Sequence, residues 1–226
     1  MPPTTFTPSV TKASESPEVG GIYNINGVAP DGKDYSDKLT ITLNSNNTDS
    51  STKQAAYDLA WDNGSIGAGI LIKDALGTSF LATSFGGTAC GAVFYSIDYS
   101  VDSSMKLSGT RLELGTKEIG SETASPTASH STLDGDYNVV GNNANGSKYN
   151  GTLSIIRQGN VVWRLTWNVG QPYIGVGISI NKSLFVTAYG GEDCGVSVYK
   201  VNADGSLHSI WAVWGVNQVG EETATK

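Results

Sequence analysis

The sequence predicts an all-β protein of two tandem eight-stranded antiparallel up-and-down β-barrels. Three observations carry this. One stretch occurs twice, as Leu-Ala-Thr-Ser-Phe-Gly-Gly-Thr-Ala-Cys-Gly at 81–91 and as Phe-Val-Thr-Ala-Tyr-Gly-Gly-Glu-Asp-Cys-Gly at 185–195. No segment keeps a helical period for about ten residues without Gly or a β-branched cluster. Short apolar or alternating runs are separated by turn residues at close spacing, as in a meander. Closing such a meander removes its exposed edges. Eight strands leave an interior that side chains fill, or that holds one small ligand. The alternative is one larger β-structure shared by both repeats.

Composition narrows the function classes. Of the 226 residues 15 % are charged, below the roughly 25 % usual for soluble domains. The 28 glycines exceed the usual share of about 7 %, which suits short strands and tight turns. A net charge of −7 and a pI near 4.7 exclude the basic footprint of nucleic-acid binding. No apolar run approaches the roughly 18 residues of a membrane helix, so no membrane partner is expected. Residues 1–18 lack the basic start and apolar core of a signal peptide. That implies a cytoplasmic chain or a mature secreted one, and leaves oligomerisation open.

Taken in order, residues 1–19 are rich in Pro, Ser and Thr and read as a flexible arm. Repeat one spans 20–124, a linker 125–133, and repeat two 134–226. The repeats match segment by segment: Gly-Ile-Tyr-Asn-Ile-Asn-Gly at 21–27 with Gly-Asp-Tyr-Asn-Val-Val-Gly at 135–141, and Asp-Gly-Lys-Asp-Tyr at 31–35 with Asn-Gly-Ser-Lys-Tyr at 145–149. Tyr57 to Trp61 answers Trp163 to Trp167, and Gly-Thr-Lys-Glu-Ile-Gly-Ser-Glu-Thr-Ala at 115–124 answers Gly-Val-Asn-Gln-Val-Gly-Glu-Glu-Thr-Ala at 215–224. Repeat two holds strand candidates near 136–141, 149–157, 161–168, 173–180, 184–189, 194–201, 207–214 and 218–224. Alternation is clearest at Trp163, Leu165 and Trp167, the pattern of a half-buried antiparallel strand. The doublets Gly86-Gly87 and Gly190-Gly191 read as tight hairpin turns, because paired glycines reach positive φ without strain.

At Gly-X-Tyr-X-(Ile/Val), Asn-Gly-Ser-Lys-Tyr-X-Gly, Tyr-Gly-Gly-X-X-Cys-Gly-Val and Gly-X-Glu-Thr-Ala the chain resembles a family of small bacterial β-repeat proteins often labelled fibronectin-binding protein-like. The resemblance covers both repeats and implies adhesion. Its motifs are turn glycines and core aromatics, so it assigns no functional residue. Avidins and lipocalins are a looser likeness of architecture, without avidin's biotin-contacting pattern.

Several residues are candidates for chemistry. Cys90 and Cys194 occupy equivalent places. They are buried thiols, or a disulfide if a pseudo-twofold axis brings their Cα atoms within about 7 Å. A nucleophilic cysteine needs a neighbouring base, and the two histidines, His130 and His208, do not recur between repeats. Glu122 and Glu222 recur, either capping backbone N–H groups at barrel closure or facing the lumen. On strand seven Arg111 stands opposite Trp211, and Glu113 opposite Val213. Period two puts Leu107, Arg111 and Glu113 on one face. Facing inward they form a costly buried charge pair; at the rim they meet water.

The leading functional expectation is non-catalytic binding of a small apolar or extended ligand. Its site is a repeat-one lumen lined by Tyr23, Tyr57, Trp61, Tyr95 and Arg111, while Trp163, Trp167 and Trp211 fill repeat two. The alternative is a cofactor-independent isomerase or cyclase using Arg111, Glu113 and Glu122. A third reading is an adhesive surface protein, favoured if both lumens are filled. No metal or cofactor is expected, because neither a ligand cluster nor a phosphate-cradling glycine loop is present.

Overall fold

The structure is a computed structural model and describes residues 19–48, 55–74, 76–87, 89–99, 105–114, 119–128 and 131–226. His130 and residues 1–18 of the expected arm at 1–19 lie outside them; Val19, the last residue of that arm, is corrected to core, being fully buried in the first barrel. The first repeat gives strands β1 (Gly21–Val28), β2 (Asp34–Thr48), β3 (Ala55–Trp61), β4 (Ile66–Lys73), β5 (Ser79–Gly86), β6 (Gly91–Tyr99), β7 (Met105–Glu113) and β8 (Gly120–Pro126). The second gives β9 (Gly135–Asn142), β10 (Lys148–Arg157), β11 (Val162–Asn168), β12 (Pro172–Ile180), β13 (Leu184–Tyr189), β14 (Gly195–Val201), β15 (Leu207–Val213) and β16 (Gly220–Thr225). Short turns join them, many opened by an Asp or Asn whose Oδ1 accepts the N–H two residues on, as at Asn63, Asp74, Asn145 and Asp204.

The strands close two antiparallel eight-stranded barrels, but not one per repeat. The first barrel runs β1-β2-β3-β4-β5-β14-β15-β16 and closes β16 on β1. The second runs β6 to β13 in order and closes β13 on β6. The expected division into barrels at 20–124 and 134–226 is therefore corrected: β6 to β13 form one whole barrel, inserted between β5 and β14 of the other. Residues 125–133, expected as the interdomain linker, connect β8 to β9 within the second barrel. The physical reason lies in the duplication. Gly195 pairs with Phe85 and Tyr199 with Leu81, while Gly91 pairs with Tyr189 and Tyr95 with Phe185. These are equivalent registers, so β5 finds in β14 the same partner surface that β6 would offer.

The Gly-Gly stretches are accordingly not hairpins. They belong to the two crossovers between barrels, from β5 to β6 and from β13 to β14, which pass close to each other at Gly86, Ala89, Gly190 and Asp193. A Cβ on Gly86 would sit 2.2 Å from the Asp193 carbonyl oxygen, and one on Gly190 would sit 2.4 Å from that of Ala89. Both glycines also have positive φ, 130° and 131°. Cys90 and Cys194 form a disulfide across the crossovers, with Cα atoms 5.5 Å apart.

Three apolar cores follow. Each barrel has its own, one around Tyr23, Leu39, Leu59 and Leu81 and the other around Tyr137, Leu153, Leu165 and Phe185. The third joins the barrels. Ala82, Val196 and Val198 on the outer wall of the first pack with Phe94, Val186 and Ala188 on that of the second. Strands at this seam are buried on both faces, which is why β13 is buried at every position and not at alternate ones, its one polar side chain, Thr187, donating to the Val93 carbonyl.

Candidate functional site

Among the described residues each barrel carries one buried carboxylate, on the strand that closes the repeat. Glu122 on β8 and Glu222 on β16 are 3 % and 7 % exposed. Neither caps backbone N–H groups; tyrosines hold both. In the second barrel Tyr149 donates to Glu122 Oε2 at 2.7 Å, Trp167 Nε1 donates to Oε1 at 3.0 Å, and Tyr95 also donates to Oε1. In the first, Tyr35 donates to Glu222 Oε2 at 2.6 Å and Tyr199 donates to Oε1. Trp211 Nε1 donates in turn to the Tyr35 hydroxyl at 2.9 Å. Burial, above all, pushes the Glu222 carboxyl upward; the two tyrosine hydrogen bonds oppose this, and nearby Asp37 adds to it. Burial and the adjoining carboxylate push Tyr35 and Tyr199 upward as well, so both remain proton donors at neutral pH.

Above the carboxylates the barrels diverge. The mouth of the first opens into a cavity of about 760 Å³. Its wall is an arc of rings: Tyr35 edge-on to Trp211 with centroids 6.2 Å apart, Trp211 to Phe85 at 6.2 Å, and Phe85 to Trp61 at 5.8 Å. Glu222, Tyr199 and Ser197 are the polar groups within, and Asp31, Lys33, Asp34, Asp37 and Asp62 stand at the rim. In the second barrel the equivalent space is about 10 Å³. There Arg111 takes the place of Trp211, as the shared pairing with Gly120 and Gly220 shows. Its guanidinium lies 5.1 Å from the Tyr149 ring centre and 5.0 Å from that of Tyr189. Its Nε donates to the Tyr189 hydroxyl at 2.8 Å, and one terminal nitrogen is 2.6 Å from Glu113 Oε1. Tyr173, where the first barrel has Ser65, packs on Tyr189 and closes the mouth.

No known family, curated protein or solved structure matches this chain.

The residues expected to form one lumen are divided between two. Tyr23 is in the first barrel but at the far end, fully buried, its hydroxyl donating to the Val19 carbonyl at 3.0 Å. Tyr57 is core of the same barrel, and only Trp61 of the expected set lines the cavity. Tyr95 and Arg111 are in the second barrel. Arg111 does face inward, its side chain 14 % exposed, while Glu113 is at the rim with 42 % exposed. With Glu122 they fill the space a substrate would need. Trp163 and Trp167 fill the second barrel, as expected of repeat two, but Trp211 crosses with β15 to wall the first. The reason is again the insertion: β7 and β15 each serve the barrel of the other repeat's first strands.

Glu222 faces the lumen, one of its two expected places, whereas Tyr35, Phe85 and Tyr199 are site residues that the sequence reading does not single out. A signal for them exists. Tyr35 and Tyr199 recur as Tyr149 and Tyr95 around a recurring glutamate, whereas Phe85 and Ser65 change to Tyr189 and Tyr173. Conserved chemistry with altered bulk between two copies marks one lumen as filled and the other as open.

Proposed function

We propose that the protein binds a small molecule, apolar over much of its surface, in the mouth of the first barrel. One observation carries the reading: the same barrel occurs twice in one chain, with about 760 Å³ free in one copy and about 10 Å³ in the other. A fold that needed its lumen packed for stability has the packing solution at hand in the second barrel and does not use it in the first. The free volume lies in the range of small-molecule sites, with an arc of aromatic rings on its wall and polar and charged groups at its floor and rim. The second barrel then acts as scaffold.

The test transplants the plug. The neutral fluorophore N-phenyl-1-naphthylamine should bind the native protein at one site per chain. Ser65→Tyr with Trp211→Arg and Val213→Glu copies Tyr173, Arg111 and Glu113 into the first barrel, and should weaken that binding at least tenfold while the thermal midpoint stays close to native. Ser65→Tyr alone, a rim change, should weaken it less. Absence of binding to the native protein, or undiminished binding to a folded plugged variant, would overturn the reading.

A second reading, cofactor-independent isomerisation or cyclisation, has one feature in its favour. Glu222 is a buried carboxyl with a raised pKa, flanked by two tyrosine hydroxyls at the floor of an open cavity, an arrangement suited to proton transfer. The expected acid–base set of Arg111, Glu113 and Glu122 is replaced by Glu222 in this version. A bound molecule recovered chemically unchanged after long incubation speaks for binding alone.

A further inference from the structure

We infer that the ligand of the first barrel is a small organic cation, an ammonium or guanidinium carrying an apolar substituent, with its charged head above Glu222. The inference rests on the binding reading and names the chemistry of the occupant. The second barrel is an internal picture of an occupied first barrel.

In the second barrel a cation already occupies the mouth. The Arg111 guanidinium lies between the rings of Tyr149 and Tyr189 at 5.1 and 5.0 Å, over the floor that holds Glu122. The first barrel keeps that cradle. Tyr35 matches Tyr149, since each pairs with a glycine of the first strand of its repeat, Gly27 and Gly141. Phe85 matches Tyr189, paired with Gly195 and Gly91. Glu222 matches Glu122. Phe85 keeps the ring of Tyr189 without the hydroxyl that accepts from Arg111, and the cation itself is replaced by Trp211, whose ring lies beside Phe85 at 6.2 Å. An aromatic arc around a carboxylate is a cation-binding geometry, and Trp is the strongest such wall.

The rims agree independently. Four aspartates, Asp31, Asp34, Asp37 and Asp62, line the open mouth, with Lys33 as the opposing charge. Lys33 is tied to Asp31 at 2.5 Å. At the matching places the second barrel has Asn145, Lys148, Gly151 and Asn168. Negative charge is thus concentrated at the open mouth, whereas the second barrel's rim carries Glu113, already paired with its own Arg111. A low-dielectric cleft of one sign draws in and holds ligands of the other. An anionic ligand would meet this rim and a desolvated carboxylate at once.

A charge-only isostere pair tests this. Phenyltrimethylammonium and tert-butylbenzene share size and shape and differ by one positive charge at the quaternary centre. By tryptophan fluorescence titration the cation should bind at least tenfold tighter, and the gap should shrink as salt is added. Replacing Asp34, Asp37 and Asp62 together by Asn should weaken the cation severalfold and leave tert-butylbenzene unchanged. Trp211→Arg, which supplies the cation in place, should abolish phenyltrimethylammonium binding. Equal or tighter binding of tert-butylbenzene, or failure of the cation to bind, overturns the cation proposal. If N-phenyl-1-naphthylamine still binds and is lost in the plugged variant, the binding reading survives that failure; if it does not, both fall.

Discussion

Glu122 and Glu222 occupy one place in two copies of a barrel, and their partners explain how differently they are held. Glu122 accepts from two tyrosines and Trp167 and has Arg111 overhead. Glu222 has two tyrosine donors and an open cavity. It is buried, with no cation facing it among the described residues, and burial raises its carboxyl from the ordinary 4.5. The sign follows from proton counting. Between 4.5 and the raised folded value the folded chain holds more protons than the unfolded one. The stability linked to Glu222 is fully present below that window and is lost as pH rises through it. A glutamine at this place cannot ionise, so Glu222→Gln should gain stability relative to native as pH rises from about 4 to about 8. Thermal midpoints of both proteins across that range check it; parallel curves would show that Glu222 titrates normally.

At the scale of elements, the strands were legible and their partners were not. Eight candidates read from repeat two agree with β9 to β16 to within a residue or two at most ends, because alternation, β-branched runs and turn residues are local signals. Pairing is not local. The chain leaving β5 meets equivalent sequences in β6 and β14, and nothing within β5 chooses between them. The choice is made at the crossovers, where glycines let two chain segments pass closely. Gly86→Ala would put a methyl 2.2 Å from a backbone oxygen at φ 130°. It should cost about 3 kcal/mol or more, since neither backbone can yield cheaply. Gly32 also has positive φ, 83°, but open space around it, so Gly32→Ala should cost only about 1 kcal/mol. Urea denaturation of the two variants measures the difference; equal costs would mean that φ alone matters and the close passage does not.

On the scale of the whole molecule, the disulfide and the interbarrel core act on the same feature. Cys90 and Cys194 tie the entry and exit of the inserted barrel, 104 residues apart in sequence. Closing a loop of that length restricts the unfolded chain by roughly 4–5 kcal/mol in the chain-entropy view. Ala82, Phe94, Val186 and Val196 then hold the two outer walls together. Reduction should lower the thermal midpoint by several degrees while the β-spectrum at room temperature persists, because each barrel keeps its own closure and core. A denatured, unreduced sample should show no reactive thiol. Full thiol reactivity without reductant, or an unchanged midpoint after reduction, would remove the disulfide from this account.

While it left Arg111 either inward or at the rim, the sequence by itself determined the fold class, the eight-strand count of a repeat and the duplication. Each is set by periodicity, turn chemistry or internal comparison, which need only neighbours along the chain. The tertiary structure alone decided which strands share a barrel, that the glycine doublets are crossovers, and that Cys90 reaches Cys194. It also decided that Trp211 and Glu222 join Tyr35, Trp61 and Phe85 around the open mouth, while Arg111 plugs the other barrel. A duplicated sequence offers every strand two equivalent partners. Hydrogen bonding and alternation are satisfied equally by both, so the site's membership rests on the close passage of the crossovers and the burial of the walls between the barrels.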